Sequence, residues 1–155
     1  MAYQFGETLT HPIHTEDPTM SKTATFHDLA GASVFITGGG SGIGASLTEG
    51  FLRQGAKVAF VGRSDATDFV DQMQRETGQR PLFIQCDITD TTALQAAIAE
   101  SAQANGAIDI LVNNAGIAGP TVPSWEYPVA DWQHVIDVDL NAVYYCCRAV
   151  IPIMR

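Results

Sequence analysis

One glycine-rich stretch of the chain reads Thr37-Gly38-Gly39-Gly40-Ser41-Gly42-Ile43-Gly44. It follows a β-branched and aromatic run, Ser33 to Thr37, and leads into a helix-like stretch, Ile43 to Gln54, which Gly55 closes. This order predicts strand, turn and helix. Glycine lets the loop turn sharply and lets phosphate oxygens approach the main chain without a Cβ in the way. The N–H groups and helix dipole at this place suit a pyrophosphate, and a tight turn without a ligand is the alternative.

The same theme repeats along the chain. Further strands are predicted at Val58 to Val61, Leu82 to Cys86 and Ile108 to Val112, with helices from about Asp65 to Thr77 and from about Thr91 to Ala104. Strands that alternate with helices predict an α/β fold with a doubly wound parallel sheet of the Rossmann type. A full sheet of this type has the strand order 3-2-1-4-5-6. We therefore expect a sheet truncated after about four strands, with strand 4 as an open edge.

A last helix is predicted after the Gly- and Pro-rich loop from Ala115 to Ala130, with Asp131 as its N-cap. Apolar residues recur in it at steps of three and four, which predicts one buried stripe. The members of this stripe are Trp132, Val135, Ile136, Leu140, Val143, Cys147, Val150 and Met154.

Composition excludes several classes of protein. The chain has 155 residues, 46% of them apolar, which suits one domain with a core of its own. A net charge of -9 without a basic run argues against nucleic acid as a partner. The apolar runs are too short to cross a membrane, and the absence of a signal-peptide pattern favours the cytoplasm. Residues 1 to about 30 lack periodicity and predict a poorly ordered leader.

The cysteines argue for reduced thiols and against a metal centre. Cys86, Cys146 and Cys147 are an odd number in a chain without a secretory pattern, so we interpret them as small core residues. His11 and His14 have a spacing that a metal pair also shows, but a polar tail explains them more simply. No metal site is predicted.

The glycine-rich stretch has the form Thr-Gly-x-x-x-Gly-Ile-Gly, and Asn113-Asn114-Ala115-Gly116 follows strand 4. In both features the chain resembles the short-chain dehydrogenase/reductase family. Asp87 follows strand 3, where the family keeps an adenine-binding aspartate, and Asn141 lies in the last helix, where it keeps an active-site asparagine. The resemblance covers residues from about 30 to 155. It looks closest to sugar dehydrogenases of the family over Ala32 to Val61.

The resemblance implies a partial NAD(P)-binding domain at residues 31–155 and assigns roles within it. Gly38, Gly40, Ser41, Gly42, Ile43 and Gly44 would hold the pyrophosphate, Asp87 and Ile88 the adenine, and Asn114, Ala115 and Gly116 the ribose side. Asn141 would position a water in a proton relay. From the residues alone, Asp87 could instead cap the next helix, and Asn113-Asn114 could simply end a strand.

The end of strand 2 bears on the choice between NADP and NAD. An acid at this place would accept hydrogen bonds from the ribose 2′-OH of NAD. The chain has Gly62, Arg63 and Ser64 there, and the Arg63 guanidinium can pair with a 2′-phosphate. NADP is therefore favoured over NAD. Asp65 lies close enough to offset Arg63, Ser41 stands where some NADP-using relatives place a cation, and a solvated surface cation is the alternative for Arg63.

The family transfers hydride with a serine and a Tyr-x-x-x-Lys pair. Each tyrosine of this chain is followed four residues later by something other than lysine; Tyr144 with Arg148 comes nearest, and it lies before the strand that carries the family's serine. We therefore expect an alcohol or carbonyl oxidoreductase whose 155 residues bind cofactor without turnover. The alternative is a non-catalytic binding module or a partner subunit of a complete paralogue. The resemblance also implies homo-oligomers formed through the last helix.

Overall fold

The computed structural model describes residues 24–154, so the predicted leader lies largely outside the described residues. The strands are β1 Ser33–Thr37, β2 Lys57–Gly62, β3 Leu82–Gln85 and β4 Ile110–Asn113. The helices are α1 Gly42–Arg53, α2 Thr67–Thr77, α3 Thr91–Asn105, α4 Val129–Ile136 and α5 Ala142–Val150. A π-helical segment, Asp137–Asn141, joins α4 to α5. None of the helices within residues 24–154 has both the length and the apolar character needed to cross a bilayer.

All strand pairs are parallel, and the sheet order is β3-β2-β1-β4. In the register, Phe35 of β1 pairs with Ala59 of β2 on one side and Leu111 of β4 on the other. The chain runs outward from β1 to β3 and then crosses back to place β4 beside β1. This reversal makes the carboxyl ends of β1 and β4 the topological switch point of the sheet. The predicted α/β class and the parallel sheet, with β1 between β2 and β4, are confirmed.

The two faces of the sheet bury separate clusters because successive strand residues point to opposite sides. Val34 and Ile36 pack with residues of α1 and α2, including Leu52 and Met73. Phe35 faces the other side and packs with residues of α3 and α5. A strand that is covered on both faces needs apolar residues on both, which explains the run Val34 to Ile36 in the middle of β1.

Two of the cysteines lie in this core. Cys86 and Cys146 are buried, as expected of small core residues, and Cys147 is half-buried. Burial, with smaller contributions from Cys147 and Cys86, raises the pKa of Cys146 to about 12. That thiol therefore stays protonated and serves as a small packing residue.

The start of the last helix differs from the prediction. It begins at Val129 with Pro128 at the N-cap, so the assignment of Asp131 as the cap is wrong. The Pro128 carbonyl accepts the Trp132 N–H at 3.0 Å, so the first turn closes on a cap three residues earlier than expected. Asp131 instead lies in the first turn, where its charge faces the positive end of the helix dipole.

The buried side of the last helix also differs from the predicted stripe. The buried residues are Val138, Ala142, Cys146 and Val150, at steps of four. Of the predicted stripe only Val150 is buried, and Trp132 and Leu140 are 58% and 60% exposed. The prediction favoured large side chains, whereas α5 packs on α3 in a cluster that includes Ala97, where small side chains permit close approach.

This assignment of faces predicts unequal effects of two truncations. Val150→Ala removes a fully buried side chain and should lower the free energy of unfolding by about 1–3 kcal/mol. Leu140→Ala removes a larger but exposed side chain and should change it by less than about 0.5 kcal/mol. Urea denaturation followed by circular dichroism measures both values. A greater loss of stability for Leu140→Ala than for Val150→Ala would mean that Leu140 faces the core, which would contradict this assignment of faces.

Candidate functional site

The loop between β1 and α1 requires glycine at several positions. Gly38 and Gly42 have φ values of 70° and 52°, a region that other residues rarely adopt. A Cβ on Gly44 would lie 1.9 Å from the Gly38 carbonyl oxygen, and one on Gly39 would lie 2.4 Å from Cβ of Phe60. Because Gly44 has no Cβ, the first turn of α1 packs directly onto Gly38, and the absence of a Cβ on Gly39 lets the loop lie against Phe60 of β2. The backbone at the amino end of α1 is thus held close to the end of β1.

The loop after β4 is bonded to the glycine loop. The Thr37 hydroxyl accepts the N–H groups of Asn114 and Ala115 at 3.0 and 3.1 Å. The Asn114 side-chain amide donates to the carbonyls of Thr37 and Gly38, both at 3.1 Å. Asn113 is the last residue of the strand, and its side-chain amide donates to the sulfur of Cys147 rather than to the glycine loop. Asn114 therefore does more than end a strand: it fixes the two sides of the switch point together.

A cavity of about 500 Å³ opens over these loops at the carboxyl ends of the strands. It brings together all of the predicted site residues except Gly42 and Asn141. The predicted residues that line it are Gly38, Gly40, Ser41, Ile43, Gly44, Arg63, Asp87, Ile88, Asn114, Ala115 and Gly116. The cavity is also lined by Cys86, Ile117 and Val138, which the sequence analysis did not predict. These apolar residues belong to no motif that would indicate a binding site.

Asp87 lines the cavity where β3 ends. Its carboxylate accepts the Thr89 N–H at 2.9 Å and the Thr89 hydroxyl at 2.8 Å. These bonds, the backbone one first, lower the pKa of Asp87 against the raising effect of burial, and the nearby Arg63 guanidinium lowers it further. The cap of α3 is Asp90, whose carboxylate accepts two N–H groups of the first turn, so Asp87 is not the cap of that helix.

The segment after β2 presents Arg63 to the same cavity. The nearby acid, Asp65, accepts the hydroxyl of Thr67 at 2.7 Å and its N–H at 3.0 Å, and these two bonds lower the pKa of Asp65. The ion pairs found within residues 24–154 involve Arg53 and Arg80, and none includes Arg63. The Asp65 carboxylate is thus directed to the start of α2 rather than to the guanidinium.

The π-helical segment presents Asp139 to the loop after β4. Its carboxylate accepts the Ile117 N–H at 2.9 Å and lies 3.4 Å from the place where a Cβ on Gly116 would stand. Asn141 instead donates its amide to Asp137 one turn back on its own helix, at 2.8 Å. Sequence reasoning missed Asp139 because helical periodicity gives no sign of a π turn, which changes the direction of the residues around it.

This chain has a doubly wound α/β fold with a glycine loop at a helix N-terminus beside a cavity at the switch point, which is where proteins of this class bind nucleotides. Comparison with known proteins agrees. A family model described as short chain dehydrogenase matches residues 32–155. The chain therefore belongs to the short-chain dehydrogenase family, and the resemblance found in the sequence is confirmed.

Individual relatives show how much of the family's length is present. The chain is 39% identical over 125 residues to 2-dehydro-3-deoxy-L-rhamnonate dehydrogenase (NAD(+)) of Sphingomonas sp. (strain SKA58), an alignment that covers 81% of this chain and 49% of that protein. It is 37% identical over 145 residues to D-xylose 1-dehydrogenase of Caulobacter vibrioides (strain NA1000 / CB15N), with 86% and 52% covered. The chain thus spans about half the length of these curated relatives.

One similar solved structure contains a cofactor. It is a protein of Shigella flexneri 2a strain 301 complexed with NADP, which matches with a TM-score of 0.75 at 25% identity. The match covers 83% of this chain and 56% of that one. One relative is thus named for NAD(+) and one similar structure holds NADP, so these comparisons leave the cofactor preference open.

The close packing at the glycine loop predicts different outcomes for two glycines of the same helix. Gly44→Ala places a methyl group against the Gly38 carbonyl and should lower the free energy of unfolding by more than about 1 kcal/mol. Gly50→Ala is the matched control: its Cβ would meet nothing, so better helix propensity should stabilise the protein by up to about 1 kcal/mol. Urea denaturation of both variants checks the pair. Equal effects would contradict the packing described.

Proposed function

We propose that this chain binds an NADP dinucleotide and is the cofactor-binding part of an alcohol or carbonyl oxidoreductase. The observation that carries the proposal is the glycine loop, where the space that a Cβ of Gly44 would fill is taken by the Gly38 carbonyl. Residues 38–44 would hold the pyrophosphate, with Asp87 and Ile88 at the adenine and residues 114–116 at the ribose side. When bound, the nicotinamide ring supplies the hydride-transfer chemistry.

The proposed preference for NADP rests on charge at the end of β2. Gly62 leaves no carboxylate at the end of the strand to accept a ribose 2′-OH. Arg63 lines the cavity, and Asp65 is occupied with Thr67. No carboxylate within the described residues forms an ion pair with the Arg63 guanidinium. The guanidinium is therefore available to a 2′-phosphate through charge-assisted hydrogen bonds.

The proposed substrate class is a sugar or a related polyhydroxylated compound. Its support is the pair of relatives above, whose names specify D-xylose and a deoxy-rhamnonate. Each tyrosine of the 155 residues lacks a lysine four positions later, so we propose binding without turnover for this chain alone. The proton-relay role expected of Asn141 stays a prediction. In the structure its side-chain amide donates a hydrogen bond to Asp137 on the same helix.

The cofactor preference predicts a selective loss on removing one charge. Arg63→Ala should raise the Kd for NADPH roughly tenfold and leave the Kd for NADH within about twofold, because only NADPH has the 2′-phosphate. Arg75→Ala, at the exposed end of α2 and outside the cavity lining, is the control and should change neither. Isothermal titration calorimetry measures the four affinities. Tighter binding of NADH than NADPH by the unmodified chain would overturn the preference.

An assay of turnover tests whether this chain binds the cofactor without catalysing a reaction, and an assay of association tests the alternative of a partner subunit. The purified 155-residue chain, given NADP and D-xylose, should produce no NADPH above the uncatalysed rate while still binding the dinucleotide, because no tyrosine in its sequence has a lysine four residues later to assist proton exchange. Absorbance of NADPH follows the reaction. Turnover at ordinary enzyme rates would contradict binding without chemistry. Stable association with a complete homologue, together with binding, would favour a partner subunit.

A further inference from the structure

The carboxylate of Asp139 lies next to the backbone of Gly116 and Ile117, two residues that line the cavity. Its Oδ1 accepts the Ile117 N–H at 2.9 Å, and its two oxygens and carboxyl carbon lie 3.4 to 3.7 Å from a Cβ built on Gly116. Gly116 and Ile117 both line the cavity. One thin layer of backbone therefore separates this charge from the space in which a ligand would lie.

The two ends of the cavity differ in where a cation stands. Where β2 and β3 end, Arg63 lines the cavity together with the carboxylates of Asp65 and Asp87. Where β4 ends, no Lys or Arg is among the lining residues, and Asp139 takes part in none of the ion pairs formed within residues 24–154. The charge of Asp139 is thus not offset by a neighbouring cation in the described part of the chain.

The strand order fixes which part of a dinucleotide would meet this charge. This step rests on the proposed function. With adenosine at Asp87 and Arg63 and the pyrophosphate at the loop after β1, the order β3-β2-β1-β4 leaves the end of β4 for the other half of the molecule. That half ends in nicotinamide, which is positively charged when oxidised and uncharged when reduced.

We infer that Asp139 is a specificity-determining residue that favours the oxidised over the reduced dinucleotide. A carboxylate attracts a cationic ring and gains nothing from a neutral one, so its charge stabilises one redox state of the ligand selectively. The hydrogen bond to Ile117 fixes where that charge stands. The chain is thereby suited to take up the oxidised cofactor, which is the form that alcohol oxidation consumes.

The test is the ratio of two dissociation constants, that of NADP⁺ over that of NADPH, for the full chain and for Asp139→Asn. Asparagine retains a side-chain oxygen that accepts the Ile117 N–H while losing the charge. The variant should therefore keep its thermal stability and raise the ratio about threefold, an effect that is modest because the group is exposed and screened. Rising ionic strength should move the ratio of the unmodified chain in the same direction.

The control is Asp131→Asn, which makes the same change in net charge on α4 at a residue that neither lines the cavity nor bonds to its loops. It should leave the ratio unchanged. An unchanged ratio in Asp139→Asn, with both forms bound, would overturn this inference and leave the proposed function standing. So would a ratio in the unmodified chain that is insensitive to salt. If the folded chain bound neither form, the proposed function would fail, and this inference with it.

Discussion

The site depends on one set of hydrogen bonds, those that Asn114 and Thr37 make across the switch point. The Asn114 amide donates to two successive carbonyls at the end of β1, and the Thr37 hydroxyl accepts two N–H groups from the loop after β4. Polar main-chain groups that are half-buried at strand ends need such partners. These bonds join the glycine loop to the loop after β4, so they fix the two loops that border the cavity relative to each other.

Local patterns sufficed to predict the order of strands and helices, the parallel sheet and most of the cavity lining. An apolar run such as β1 has few alternatives when a glycine loop and a helix follow it at once. The loops after parallel strands meet at one edge of the sheet, so Arg63, Asp87 and Asn114 came together although they are far apart in sequence.

Features that depend on packing between elements were not predictable in this way. The buried face of the last helix is set by close approach to α3, which selects Ala142 and Cys146 over larger neighbours. The π turn that directs Asp139 toward the loop after β4 has no periodic signature. Asp87 and Asp90 are both plausible helix caps in the sequence, and only the backbone geometry decides between them.

The most direct test of the central claim is a titration of the ¹⁵N-labelled chain with NADP⁺, followed by the backbone amide resonances. If main-chain N–H groups of the glycine loop bind the diphosphate, the amides of residues 38–44 should show the largest saturable shifts, with smaller ones at residues 114–116. A well-folded chain whose glycine-loop amides do not move at saturating dinucleotide would contradict the account. Shifts confined to the β3 edge, around Arg80 and Phe83, would contradict it equally.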